Sequence, residues 1–334
     1  MRKVTLQDIA DQLGLTKVSV SRALNGRPGI SADTRRRVME TAERLGYRGK
    51  QKDLPQEVPL RYALIVPERF FLETNGLHTE VSYHLSKLCA HDGHQLYSLA
   101  LSREQERALR LPEPLGRVLF DGIFLLGEVE GPYLRALCEK QAADLVAIDF
   151  APERAPVDSV RVDNYDLGFR ATRFLLEKGH RRIGFAGDVR QSSAVLDRYF
   201  GYLKALTLAG LPPRPTWQIE IRDDKANAPF AVPLPEEMPT AFVCQSDLIA
   251  YSLLEALRGA GKRVPQDVSL VGFDNAPLCA HTSPPLTTFE INRHDIAMAA
   301  YACMADRRRA RGGRRVFLPC PFVERGSVAD RAAS

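Results

Sequence analysis

Between Thr16 and Asn25 the chain reads TKVSVSRALN, a short run that combines several recognition chemistries. Arg22 carries a planar guanidinium fork, the group that pairs bidentately with guanine O6 and N7. Thr5, Thr16, Ser21 and Asn25 are short polar residues suited to phosphate oxygens, which fix register without reporting sequence. Lys17 and Val18 head the run, where a helix N-terminus carries side chains to base edges. A second group of candidates follows apolar, strand-like runs: Asp149 after LVAI, Asp247 after AFVC and Asn275 after SLVGF. In open α/β sheets, ligands sit beyond the carboxyl ends of the strands. Acids and amides placed there suit hydroxylated ligands, which both donate and accept hydrogen bonds.

The elements that must position the first group are legible. Leu6, Ile9, Ala10 and Leu13 repeat at helical spacing, and Thr5 with Asp8 forms a capping box, so the pattern predicts a helix over about Leu6–Leu13. Gly14 suits a left-handed helix end, and Thr16 is placed to cap a second helix running to about Asn25. Val20 and Leu24 face inward and leave Lys17, Val18, Ser21, Arg22 and Asn25 outside. Ser31 caps a third helix whose apolar face is Val38, Ala42 and Leu45. This is a helix-turn-helix. The charge agrees: Met1–Lys52 holds twelve basic and five acidic residues, a net +7, whereas the whole chain carries only +5. A basic head on a slightly acidic body points to a polyanionic partner.

Over VTLQDIADQLGLTKVSVSRALNGRPGISADTRRRVMETAERLGY the head resembles that of the lactose-repressor (LacI) family almost residue for residue. The resemblance implies Lys17 and Val18 as operator-discriminating positions and Arg22 as a guanine contact. The text after Tyr47, RGKQKDLPQEVPL, departs from the family. Pro55 and Pro59 disfavour the continuous hinge helix that members use to push a leucine into the minor groove. Leu54 is the one leucine near enough to act as such a wedge, and Arg48, Lys50 and Lys52 are alternative phosphate contacts.

From Arg61 onward, short β-rich runs alternate with amphipathic helices, the pattern of parallel sheets built from βαβ units. The strand candidates are Tyr62–Val66, Gln95–Leu99, Gly122–Leu126, Leu145–Ile148, Arg182–Ala186, Ala241–Cys244 and Ser269–Val271. The basic run RRRARGGRR near 307–315 reads as a solvated loop. Blocks such as VRVDNYDLGFRATRFLLEKGHRRIGFAG, DRYFGYLKAL, VPQDVSLVGFDN and ERGS again resemble the LacI family. Its body is similar to periplasmic sugar-binding proteins. The implied fold class is a small all-α helix-turn-helix head plus an α/β periplasmic-binding-protein-like body of two doubly wound subdomains. The domains read as a head over 1–47, a linker over 48–60 and an effector-binding and dimerisation domain over 61–330. Within the last, one lobe comprises 61–158 and 291–317, and the other 159–290 and 318–330. The resemblance makes Arg198 a cleft arginine. Phe70 and Phe71, at the first strand-to-helix turn, are candidates for stacking on a sugar, while Trp217 reads equally as core or as a stacking platform. For Asp163 and Asp247, helix capping is the competing reading.

Together these features point to a DNA-binding transcriptional regulator, a repressor, acting as a homodimer on a pseudo-palindromic double-stranded operator. The small effector between the lobes reads as a sugar, with a purine or sugar phosphate as alternatives. A solute-binding protein of transport or sensing shares the body and lacks the head. No G-x-S-x-G, Walker, dinucleotide or H-E-x-x-H motif appears, so the chain reads as neither an enzyme nor a cofactor protein. The six scattered cysteines give no metal spacing and read as buried free thiols. No apolar stretch suits a signal peptide or a membrane span, so the expected compartment is the cytoplasm, with no membrane partner.

Overall fold

The computed structural model describes residues 4–24, 32–45, 59–71, 76–152, 155–221, 232–306 and 313–331. Two compact units emerge, Met1–Pro59 and Leu60–Ser334. In the first, α1 (Leu6–Leu13) opens with Thr5 and Asp8 bonding each other's backbone N–H, and Gly14 closes it at φ +63°. The Thr16 hydroxyl accepts from the Ser19 N–H at 3.1 Å to start α2 (Lys17–Leu24), and α3 spans Ala32–Arg44. Ile9, Ala10, Val20, Ala23, Val38 and Ala42 form the shared core, edged by Leu6, Leu13, Leu15 and Leu45. Three short helices are marginal alone, so this burial is what fixes the recognition face. Asn25, Leu54 and the linker over 46–58 lie outside the described residues.

The second unit begins with β1 (Arg61–Pro67), α4 (Glu68–Phe71), α5 (Leu77–His91), β2 (Gln95–Leu101), α6 (Arg103–Arg107), β3 (Gly122–Leu126), α7 (Gly131–Lys140), β4 (Asp144–Ile148) and β5 (Asp158–Val162). It continues with α8 (Asn164–Glu177), β6 (Ile183–Ala186), α9 (Ser193–Leu208), β7 (Gln218–Ile219), β8 (Ala241–Cys244), α10 (Asp247–Gly259), β9 (Ser269–Val271), β10 (Thr288–Phe289), α11 (Arg293–Ala305), β11 (Arg315–Leu318) and β12 (Phe322–Val323). Among the described residues one sheet runs β11-β5-β4-β3-β1-β2, parallel throughout, and another runs β7-β6-β8-β9, also parallel. Each is the core of one lobe. Strands covered on both faces read as continuous apolar runs, as in the buried GIFLL of β3 and AFVC of β8.

The sheets place one crossing differently from the sequence expectation and keep another where it was expected. β5 belongs to the first lobe, so the chain leaves it after Val162 rather than at 158. β11 pairs with β5, which keeps 315–318 in that lobe. The end of the basic run is correspondingly not a solvated loop. The Arg314 backbone N–H donates to Asp158 Oδ1 at 2.7 Å and its guanidinium donates to Asp158 Oδ2 at 2.7 and 3.1 Å and to Asp306 at 2.7 Å, pinning the edge strand; residues 307–312 lie outside the described set.

The cysteines are free, and all but Cys138 are buried. Among the described residues no helix is long and apolar enough to cross a membrane, and no group of three His, Cys, Asp or Glu side chains could hold a metal.

Candidate functional site

On the head, Lys17, Val18 and Arg22 are exposed along α2, and Ser21 is half-buried beside them. Val18 is 67% exposed, far more than a core valine. Arg22 makes no ion pair among the described residues, so its fork is available to an incoming partner. Thr5 and Thr16 are exposed too, but their hydroxyls are occupied as caps: Thr5 Oγ1 donates to Asp8 at 2.8 Å, and Thr16 Oγ1 lies 2.9 Å from Ser19 Oγ. Their part at a phosphate would fall to the backbone of the capped turn as much as to the side chain.

In the body a cavity of about 100 Å³ opens between the two lobes. Lobe one contributes Phe70, Leu77, His78, Glu128 and Asp149; lobe two contributes Arg198, Gln191, Ser192, Gln245 and Asp274 among others. Of the effector candidates named from sequence, the structure brings together Phe70, Asp149 and Arg198. Phe71 begins the stretch whose side chains lie outside the described residues.

Arg198 is held rigidly. Its Nε donates to Asn164 Oδ1 at 2.8 Å, Nη1 donates to the Gln245 carbonyl, and its guanidinium carbon lies 4.7 Å from the centre of the Phe273 ring. This is possible because α8 and α9 touch at backbone level. A Cβ on Gly168 would come within 1.9 Å of the Arg198 carbonyl oxygen, and one on Gly201 within 2.1 Å of that of Tyr165. Two glycines thus set the depth at which the arginine enters the cavity.

Asp149 follows β4 at φ +70°, with its N–H bonded to the Val160 carbonyl at 2.9 Å. Its carboxylate lies 3.9 Å from His78 Nε2, and the His78 ring stacks on Phe70 with centroids 4.5 Å apart.

The third acid of the cavity is Asp274, not the neighbouring Asn275. Asp274 has φ +111° and is 3% exposed. Burial pushes its carboxyl up to about 7; the nearby Arg198 and Arg293 oppose this, and Asp247 and Asp149 reinforce it. Asn275 instead points its Oδ1 at Arg325 Nη2, 2.6 Å away, outside the cavity lining. Asp247 is likewise not at the cavity wall. It is fully buried and accepts from Thr288 Oγ1 at 2.7 Å and from the Ala276 N–H at 2.9 Å, so it ties the loop after β9 to α10. Desolvation raises its pKa, and those two bonds with Arg198 pull against the rise.

Asp163 caps α8 through the Asp166 N–H. Trp217 is 4% exposed, donates to the Glu237 carbonyl at 2.9 Å and packs in the core rather than the cavity.

Several lining residues were not singled out from sequence. Glu128 and Gln245 both stand just past a strand, so the same strand-end rule reaches them when applied to β3 and β8. His78, on α5, carries no such signal. Glu128 also links the lobes, its Oε2 accepting from the Ser193 N–H at 2.8 Å.

Comparison with known proteins agrees with this fold. Residues 5–49 match the family "Bacterial regulatory proteins, lacI family", and residues 172–328 match a periplasmic binding protein-like domain. The chain is 26% identical to the HTH-type transcriptional repressor PurR of Pasteurella multocida, over 98% of this chain and 99% of that protein. It is 27% identical to catabolite control protein A of Priestia megaterium, over 89% and 90%. Among solved structures it is similar to the transcriptional regulator CelR in its cellobiose complex (25% identity, TM-score 0.67, 97% of this chain and 100% of that one). It shares the fold of the lac repressor dimer bound to operator and an anti-inducer (19%, TM-score 0.67, 98% and 100%). The relatives are transcriptional regulators, and the chain joins a LacI-family DNA-binding domain to a periplasmic binding protein-like domain.

Proposed function

We propose that the chain is a homodimeric repressor of the cytoplasm whose operator affinity is controlled by a sugar bound between the lobes of the body, with Lys17, Val18 and Arg22 reading the operator. One observation carries the effector reading: a single cavity gathers Asp149, Asp274, Gln191, Gln245, Ser192 and Arg198 from both lobes. That mixture of donors and acceptors, with one arginine rather than a cationic cluster, suits a ring of hydroxyls. A purine would need a broad aromatic face, whereas Phe70 is only 7% exposed and lies against His78 and Arg69. The similar structures agree in part, one of them being a cellobiose complex.

The test is an anisotropy titration of a fluorescent operator, isolated by selection on the purified protein, against a panel of sugars. Asp149→Asn keeps the shape and removes one acceptor's charge. It is expected to leave effector-free operator binding within about threefold while weakening the response to the active sugar by about tenfold or more, as loss of a charged hydrogen bond does. Operator release by hypoxanthine or guanine and by no sugar would defeat the reading.

A further inference from the structure

The inner cavity adjoins a second chamber of about 690 Å³, and the two share Phe70, Glu128, Gln191, Ser192 and Ser193 as common wall. Small-molecule sites begin at about 300 Å³, so the inner cavity of about 100 Å³ falls short of a whole ligand. A molecule that reaches Arg198, Asp149 and Asp274 therefore extends past Phe70 and Ser192 into the outer space.

The outer chamber has a different chemistry. It is lined by Arg69, Arg103, Arg107 and Arg190 together with Glu106, Glu128 and Glu130. Most of these charges are committed. Arg69 donates to Glu106 at 2.6 Å, and the other Glu106 oxygen accepts from the Glu130 N–H at 2.8 Å. Glu128 accepts from Ser193, and Arg190 is paired with Glu220. Arg103 and Arg107 are left. They are exposed, stand four residues apart on α6, and make no hydrogen bond or ion pair among the described residues. Like charges at that spacing repel. An anion between the two forks would relieve the repulsion through charged, bidentate bonds that arginine forms with carboxylate and phosphate alike.

We propose that the effector is bipartite: a hydroxylated ring in the inner cavity, joined to a second unit whose acidic group, a carboxylate or a phosphate, is held by Arg103 and Arg107 in the outer chamber. This rests on the sugar reading of the inner cavity. Both arginines lie on the rim of lobe one, apart from the residues that fix the ring, so the two parts separate experimentally.

The experiment is calorimetric titration of the full-length protein with glucose, cellobiose and maltose, and with the glucuronate-terminated and 6-phosphate counterparts of both disaccharides. For the disaccharide stereochemistry that binds, an acidic form is expected to bind at least about tenfold more tightly than the neutral one, a gain of the size charged hydrogen bonds give. Whether glucuronate or phosphate shows the gain identifies the source of the anion. In R103Q/R107Q the advantage should shrink below about threefold while glucose affinity stays unchanged. Neutral sugars binding with no acidic advantage, or an advantage that survives in R103Q/R107Q, would overturn this inference and leave the sugar reading standing. Absence of binding by every sugar would remove the sugar reading and this inference with it.

Discussion

Arg22 and Asp274 stand in opposite environments, the first exposed and unpaired among the described residues and the second crowded. Arg22 is exposed on α2 and unpaired among the described residues, so its fork loses little by turning to a guanine. Arg22→Ala is expected to cost about 1 to 3 kcal/mol on the operator and to relax one base position. Random DNA should lose no more than one phosphate contact's worth, and equal weakening on both would refute base reading. Asp274 is buried among Arg198, Arg293, Asp247 and Asp149, and its carboxyl sits at about 7. Because the folded value is raised, its contribution to stability is present at low pH and fades as pH rises through 7. Ligand affinity runs the other way: a hydroxyl donates more strongly to the ionised form, so sugar binding should tighten from pH 6 to pH 8. In Asp274→Asn the profile should be flat over that range, measured by titration at each pH; a slope that persists would move the titrating group elsewhere. The text GFDN marked this turn as functional without saying which residue faces the cavity. Both Asp274 and Asn275 adopt positive φ, which breaks the alternation of facing that a strand end would otherwise supply. Asp247 misled for a related reason: an acid after a strand can serve the turn's own N–H groups as readily as a ligand's hydroxyls.

At the scale of elements, legibility followed local chemistry. The capping box of α1, the left-handed Gly14 and the Thr16 cap are decided by residues within four positions of one another, and α1 runs over Leu6–Leu13 as its periodicity predicts. β5 was not anticipated, because DSVRV carries charge at both a terminal and an inner position, and these charges are answered only by remote partners: Asp158 by Arg314, and Arg161 by Asp197. The two-residue strands β7, β10 and β12 are shorter than any periodicity can reveal. The α8–α9 contact is also invisible in sequence, since nothing local marks Gly168 and Gly201 as facing each other's helix. It nevertheless positions the cavity's arginine. Gly201→Ala must push α9 away from the Tyr165 carbonyl, and Arg198 moves with it. The expected result is a loss of about 1 to 3 kcal/mol of stability, as for other overpacked sites, with effector affinity falling further than the stability change alone explains. Thermal denaturation read beside effector titration checks this; unchanged affinity in the folded variant would show that Arg198 has slack.

Across the whole molecule, the resemblance implied two lobes crossed three times by the chain, but not what holds the lobes against each other. Two ties stand out across the cleft. Glu128 accepts from the Ser193 N–H at 2.8 Å, and Arg161 on β5 meets Asp197 on α9 at 3.2 Å. Burial holds the Asp197 carboxyl above the usual carboxylate range even though Arg161 pulls it down, so the tie forms where desolvation costs most of what the pairing gains. Such a contact adds little net stability, but an opening of the cleft that separates β5 from α9 would break it, so it would favour the closed arrangement. A ligand shifts the two-state balance only by its differential affinity, and its apparent affinity scales with the fraction of closed protein. Removing the tie with Arg161→Ala should therefore weaken effector binding by about two- to fivefold, the range of a partly exposed ion pair, even though Arg161 does not line the cavity. The change should fall mainly on the dissociation rate, since closure follows encounter with the open cleft. The reversed pair, Arg161→Asp with Asp197→Arg, restores the charge complementarity and should recover most of the loss; each half of it alone should not. Stopped-flow measurement of effector release from the five proteins, wild type, Arg161→Ala, the reversed pair and each of its halves, separates the cases. Equal release rates in wild type and Arg161→Ala would show that the lobes are held by the Glu128 contact and the ligand alone, whereas an Arg161→Ala loss that the reversed pair fails to recover would assign Arg161 a structural part within β5.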